Sequence, residues 1–150
     1  MSIFNSMNTT ASALTAQRLR MDVISSNMAN VDTTRGKLVD GEWQPYQRKS
    51  VVLQPKDTPF SSFLSSAMKG KLNNGGVEVS KIVEDTETPN KLVYDPTHPD
   101  ANQEGYVSMP NVDPLREMTD LISATRSYEA NVTVFNANKS LLTKSLEIGR

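Results

Sequence analysis

At 150 residues and 16.6 kDa the chain has material for one ordinary domain, too little for two sizeable hydrophobic cores. Its 16 Lys and Arg against 17 Asp and Glu leave a formal net charge of −1, which removes the electrostatic case for non-specific nucleic-acid binding. With no cysteine it excludes disulfide frameworks, thiolate metal sites and thiol nucleophiles, although the redox compartment stays open. Only 6% of residues are aromatic, seven are Met, and the mean hydropathy of −0.46 describes a polar chain expected to lean on partners for part of its stability.

Met1 to Thr15 hold no basic n-region and no apolar run of secretory-signal length. If the protein leaves the cytosol, a route other than the general secretory one is expected. No window approaches the ~18–20 apolar residues that span a bilayer.

The first predicted element is a helix. Phe4, Met7, Ala11, Leu14, Arg18, Met21, Ser25 and Met28 step by three and four, and six of these eight positions are apolar. That is a narrow, heptad-like stripe rather than a broad globular face. Around it lie Thr9, Thr10, Ser12, Thr15, Ser25 and Ser26, all mediocre helix formers. Such a helix is expected to be stable only when its stripe is covered.

The middle, from about Val31 to Pro110, carries seven of the eight prolines and six of the seven glycines. Trp43 to Leu53 reads as extended chain broken by Pro45. Val77 to Val83 alternates like a strand, and Lys91 to Tyr94 is expected to pair with it across Thr88-Pro89-Asn90. Asp57 to Gly76, rich in Ser, Lys, Asn and Gly, reads as a loop with a short apolar anchor at Phe60, Phe63 and Leu64.

A second, longer helix closes the chain. Asp113 before Pro114 is an N-cap with proline at the first helical position, and Glu117 adds favourable charge in the opening turns. Met118, Leu121, Thr125, Tyr128, Val132, Phe135, Lys139, Leu142 and Leu146 again step by three and four, seven of the nine apolar. Gly149 and Arg150 read as its stop. The predicted class is α+β: long N- and C-terminal helices forming a coiled-coil-like pair, residues 1–30 and 113–150, around a β-rich, irregular segment at 31–112.

The sequence offers little chemistry. His98 is the only histidine, so a two-histidine metal site is impossible. Asp95, His98, Asp100 and Glu104 could supply ligands within ten residues, yet Asp95-Pro96 and His98-Pro99 read better as a proline-punctuated acidic turn. Gly75-Gly76 precedes a strand rather than opening a helix, so no phosphate-cradling loop is expected. No hydrolase triad is recognisable. No catalytic residue, metal site or cofactor is assigned.

The apolar stripes admit two readings: the helices pair within one chain, or they also pair with neighbouring subunits. Asn27, Asn30, Asn131, Asn136 and Asn138 would add interhelical hydrogen bonds in the second case, or lie on solvated faces in the first. Arg18 and Lys139 interrupt the seams and would set register or lie at a wet edge.

The run Ser25-Ser26-Asn27-Met28-Ala29-Asn30-Val31-Asp32-Thr33-Thr34-Arg35-Gly36 resembles the N-terminal signature of bacterial flagellar axial proteins of the rod, hook and hook-cap type. A second block runs from Asp95 to Pro114, through Pro96, His98, Pro99, Asn102, Gly105, Tyr106, Val107, Pro110 and Asn111. With Arg126-Ser127-Tyr128-Glu129-Ala130-Asn131 it narrows the likeness to the proximal-rod members of that family. The resemblance covers essentially the whole length, with Asn27, Ala29, Asn30, Thr34 and Gly36 as its first motif positions.

The resemblance implies a non-catalytic structural subunit of the basal-body rod, outside the cytoplasmic membrane, exported unfolded by the flagellar type III apparatus. Its partners would be copies of itself, other flagellar rod proteins and the export apparatus, with no nucleic acid and no small-molecule substrate. Phe4, Met7, Ala11, Leu14, Met21, Met28, Met118, Leu121, Tyr128, Val132, Phe135, Leu142 and Leu146 would then be subunit-interface positions. Asn27 to Gly36 would form the extended turn out of the first helix. The competing readings are a cytosolic coiled-coil adaptor or export chaperone and, further off, a metalloenzyme with an acidic site.

Overall fold

The structure is a computed structural model that describes residues 3–56 and 75–148. The expected loop from Asp57, with its Phe60, Phe63 and Leu64 anchor, lies almost wholly outside the described residues, as do Gly149 and Arg150.

Helix α1 spans Ile3–Ala29. Its many hydroxyls fold back on the helix: Thr9, Thr10 and Thr15 donate to the carbonyls of Asn5, Ser6 and Ala11 at 2.9, 2.9 and 3.1 Å. These bonds satisfy the side chains without adding helix propensity. The helix ends where Asn30 turns its own side chain inward, its Nδ2 donating to the Ser26 carbonyl at 2.8 Å. Thr33 then closes the turn, its hydroxyl donating to Asn30 Oδ1 at 3.1 Å. The turn out of the helix therefore occupies Asn30 to Gly36, with Asn27 to Ala29 still helical.

Strands β1 (Lys37–Val39) and β2 (Glu42–Gln44) form an antiparallel hairpin with Leu38 opposite Trp43. Its two-residue turn holds Asp40 at φ 51° and Gly41 at φ 89°. Positive φ at both central residues is the geometry that Asp-Gly favours and that matches the strand twist. Strands β3 (Lys49–Pro55) and β4 (Val77–Glu84) form a second ladder, which is closed by Lys56 N to Gly76 O and Asp85 N to Arg48 O.

Strand β5 (Lys91–Tyr94) pairs antiparallel with β6 (Tyr106–Met109), Tyr94 facing Tyr106, and not with β4 as the sequence suggested. The reason lies in the intervening turn. The Asp85 carboxylate accepts from the Glu87 and Thr88 amides and the Thr88 hydroxyl. The Asn111 side chain takes the Asp85 and Thr88 carbonyls at 2.8 and 3.1 Å. Asp85 and Asn111 thus hold this turn in a shape of its own, and β5 takes β6 as its partner.

Helix α2 spans Pro114–Ile148. Asp113 caps it as expected, Oδ1 accepting the Leu115 amide at 3.1 Å, with proline at the first helical position. The class is α+β, with two long helices and a small β-rich middle.

Two compact units divide the chain. The first comprises Met1–Leu19, Val52–Lys81 and Ala124–Arg150. Thr10, Ala16 and Ala124 are buried there, Asn138 donates to Ser6 Oγ at 3.1 Å, and the Val77 amide donates to Ser12 Oγ at 3.0 Å. The second comprises Arg20–Val51 and Ile82–Ser123, and buries Val23, Ile24, Val107, Pro110 and Val112 together with Asn27, Asn111 and Glu117.

Gly36 matters for close approach. Its amide donates to the Gln44 carbonyl at 2.8 Å, and a Cβ there would stand 2.7 Å from the Tyr46 backbone. Gly36→Ala is expected to lower unfolding free energy by about 1–3 kcal/mol, because the obstructing atoms are backbone and cannot swing aside. Urea denaturation of the purified variant checks this, and an unchanged midpoint would contradict it.

Candidate functional site

The second unit is organised around a buried polar cluster. Asn27, in the last turns of α1, has no exposed surface and uses both ends of its amide. Its Nδ2 donates to the Lys49 carbonyl at 2.8 Å and to Glu117 Oε2 at 3.1 Å. Its Oδ1 accepts from the Lys49 amide at 2.9 Å and from the Tyr46 hydroxyl at 3.0 Å. Two donors and two acceptor sites exhaust what an asparagine side chain offers.

Glu117, one turn into α2, is equally buried, and its charge is met by Arg48, whose Nε donates to Oε1 at 2.6 Å. Arg48 also lies 3.7 Å from Asp120 Oδ2, and Arg20 approaches Asp120 Oδ1 at 3.4 Å. A buried carboxylate is tolerable only with a counter-charge and filled hydrogen-bond sites, and both conditions are met here. Reading Glu117 as a dipole-favoured residue of the first turn missed this role. Its signal was present: Glu117 falls in phase with Leu121, Ala124 and Tyr128, so a charge stands on the packed stripe.

Several of the remaining motif positions make contacts within the fold. Asn111 accepts the Arg48 amide at 2.7 Å while donating to two turn carbonyls, joining β3, the turn after β4 and the approach to α2. Gly105 sits at φ 83°, where a Cβ would meet the Tyr94 ring at 3.0 Å. Asn102 Oδ1 accepts the Glu104 and Tyr106 amides at 3.0 and 2.8 Å. Val107 and Pro110 are buried, Pro96 flanks Gly105, and Ala29 and Pro99 are exposed.

The acidic turn is likewise internally spent. Asp100 accepts from Arg35 Nε and the Thr34 hydroxyl, both at 2.8 Å, and these two bonds hold its carboxyl below the ordinary aspartate range. Asp95 is held low by the Thr97 hydroxyl and amide. His98 Nδ1 accepts the Asp100 amide at 3.1 Å. Among the described residues no group of three or more His, Asp or Glu converges as a metal site would require.

The helices place the seam positions on two different footings. In α1 the face turned inward carries Thr10, Ala16, Ile24 and Asn27. The predicted stripe lies about a third of a turn round from it, at 100° per residue. On that stripe Met7, Ala11, Leu14, Met21 and Met28 are half-buried and Phe4 is exposed. In α2, Leu121, Tyr128, Val132, Phe135 and Leu142 are half-buried, whereas Met118 and Leu146 are exposed. Of the asparagines weighed for interhelical bonds, Asn27 and Asn138 reach the other helix, while Asn30 and Asn131 bond carbonyls of their own helix.

Residues 7–36 match the family described as flagella basal body rod protein, and residues 103–148 match the flagellar basal body rod FlgEFG protein C-terminal family. The chain is 66% identical to the flagellar basal-body rod protein FlgC of Bacillus subtilis (strain 168), over the full length of both. It is 44% identical to FlgC of Borreliella burgdorferi, covering 99% of this chain and 98% of that one. To FlgC of Escherichia coli O6:H1 it is 43% identical over all of both chains.

The chain belongs to the flagellar basal-body rod protein family. It is a structural subunit of the basal-body rod and not an enzyme, and it assembles with other components of the basal body. In this rod protein the two family-matched regions meet at Asn27 and Glu117, so the most telling motif residue works as an internal staple. Asn27→Asp would set a carboxylate against Glu117 and remove the donor to Lys49. The expected outcome is a loss of roughly 3–5 kcal/mol, the range for an uncompensated buried charge, measured by chemical denaturation against the wild type. A loss below about 1 kcal/mol, the mean for any substitution, would count against the staple.

Proposed function

We propose that this subunit joins copies of itself and other flagellar rod proteins through helix faces that its own fold leaves unfilled. Residues 1–30 and 113–150 act as the axial helices, pairing in coiled-coil fashion with one another and with those of neighbours. Residues 31–112 face outward. The observation that carries this reading is the distribution of exposed apolar side chains: Phe4 is 71% exposed and Leu146 76%, and the Met7, Leu14, Met21 and Met28 stripe is only half covered.

A neighbour that covers those side chains gains roughly 25 cal/mol per Å² of apolar surface, which offsets the entropy of fixing weak helices. An isolated chain lacks that gain, so its helix ends are loosely held, and loosely held ends suit passage unfolded through the flagellar type III export apparatus. A contact between two unlike patches does not close on itself and so propagates into a helical tube. Helices packed in register against their neighbours then carry torque along it.

Phe4→Asp and Leu146→Asp test this with little cost to the fold, since both positions are exposed. Each variant is expected to be secreted at wild-type levels, to be absent from purified basal bodies, and to leave cells non-motile. Normal motility of both would count heavily against these faces as subunit contacts.

A further inference from the structure

The formal net charge of −1 is the sum of two opposite imbalances. The second unit holds seven Lys and Arg against thirteen Asp and Glu, and the first unit holds nine against four. Part of the acid in the second unit is spent internally. Glu117 and Asp120 meet arginines, Asp100 meets Arg35, Asp85 and Asp95 accept turn amides, and Asp113 caps α2. What remains is still one-sided. Seven carboxylates, Asp22, Asp32, Asp40, Glu42, Glu84, Glu87 and Glu104, are exposed and make no ion pair among the described residues. Against them stand Lys37 and Arg116, exposed and equally unpaired, while the Lys91 ammonium donates to the Val112 carbonyl at 3.0 Å.

The first unit is the reverse. Arg18, Lys56, Lys81, Arg126 and Lys139 are exposed and make no ion pair among the described residues, and Glu129 is the one described carboxylate there in the same state. Lys144 is taken by Glu147 at 2.7 Å, and Glu78 accepts from the Gln54 amide at 2.8 Å. The unpaired cations stand on α1, on α2 and on the β3–β4 ladder that Lys56 closes, so the excess belongs to the unit and not to one helix face.

We propose that the acidic second unit of one subunit packs against the basic first unit of a second copy of this chain. The inference rests on the assembly reading above and names which surfaces meet within it. One exposed ion pair contributes little. An imbalance of several charges, however, orients two molecules as they approach and penalises every arrangement that sets like against like. Neither unit holds the counter-charges for its own excess, and a second copy supplies them for both. That complementarity selects a second copy as the occupant. Because the two surfaces are unlike, the contact is heterologous, and each copy can give one and receive one.

The contact is read with a carbodiimide, which joins a lysine amine to a carboxylate that it touches and adds no spacer. Two differently tagged full-length forms are expressed together in a flagellated host lacking its own copy of the gene, and purified basal bodies are treated. The expected product is a dimer carrying both tags, with Lys56, Lys81 or Lys139 linked to a carboxylate of the second unit. If both forms are present in basal bodies and no mixed dimer appears, the charge contact is overturned while the assembly reading stands. Dimers joined only within like units, or coupling only to a different axial protein, overturn it too. Absence of both forms from basal bodies sinks the assembly reading and this contact with it.

A second arm separates charge from packing at the same three exposed lysines. The form with Lys56→Arg, Lys81→Arg and Lys139→Arg keeps the charge but not the amine. It is expected to enter basal bodies as the wild type does and to give almost no dimer. The form with Lys56→Gln, Lys81→Gln and Lys139→Gln is expected to be secreted normally and incorporated at least about five-fold less, the scale of three exposed ion pairs. Undiminished dimer from the arginine form, or wild-type incorporation of the glutamine form, contradicts the proposal.

Discussion

A fully buried carboxylate on α2, neutralised by the arginine just before β3 and shared with an asparagine on α1, is the constraint around which the second unit is arranged. Glu117 is stable in its site only if Arg48 arrives, and Arg48 is held in place by a backbone whose neighbours bond to Asn27 and Asn111. Three stretches far apart in the chain must therefore come together at once. None can stay half-assembled without leaving a charge or an amide unpaired away from water. Hydrophobic burial nearby is modest, resting on residues such as Ile24, Val107 and Val112, so the polar cluster supplies the specificity that a small apolar core cannot.

The same arrangement explains how a subunit of a polymer can be well defined in one region and open elsewhere. Within the chain, the inward faces of the helices carry many small or polar side chains, Thr10 and Ala16 in one unit and Asn27 and Glu117 in the other, beside the branched Val23 and Ile24. Small residues let helix backbones come close. They also leave the larger Met, Leu and Phe side chains on other faces, where a neighbour can cover them. The hydroxyl-rich composition of α1 fits this division, because Thr and Ser satisfied by their own helix carbonyls can lie half-wet without penalty.

Much of this was legible in the sequence where punctuation is local. Asp113-Pro114 marked the start of α2, and the three-and-four spacing marked both helices. The alternation of Val77 to Val83 marked β4. The motif around Asn27 and the block after Asp95 pointed to the family. What escaped notice depended on partners distant in the chain. Helical spacing identifies an apolar stripe but not whether that stripe packs inside the subunit, and the inward face of α1 turned out to be the less apolar one. Lys91 to Tyr94 has the composition of a strand, but its partner β6 lies across the Asp95–Gly105 segment rather than across the turn that Asn111 bonds. The β1–β2 hairpin carried a strong local signal in Asp40-Gly41 that a reading of Trp43 to Leu53 as extended chain broken by Pro45 passed over.

The most direct test of the central constraint is the coupling energy between Arg48 and Glu117, from a denaturation cycle of Arg48→Met, Glu117→Met and the pair together. If the buried pair organises the unit, Arg48→Met alone costs about 3–5 kcal/mol because Glu117 is left charged and unpartnered, and the double variant costs well under the sum, with coupling of at least about 2 kcal/mol. Additive losses, equal within about 0.5 kcal/mol, would mean that the two side chains act independently and that something else holds the helices and β3 together.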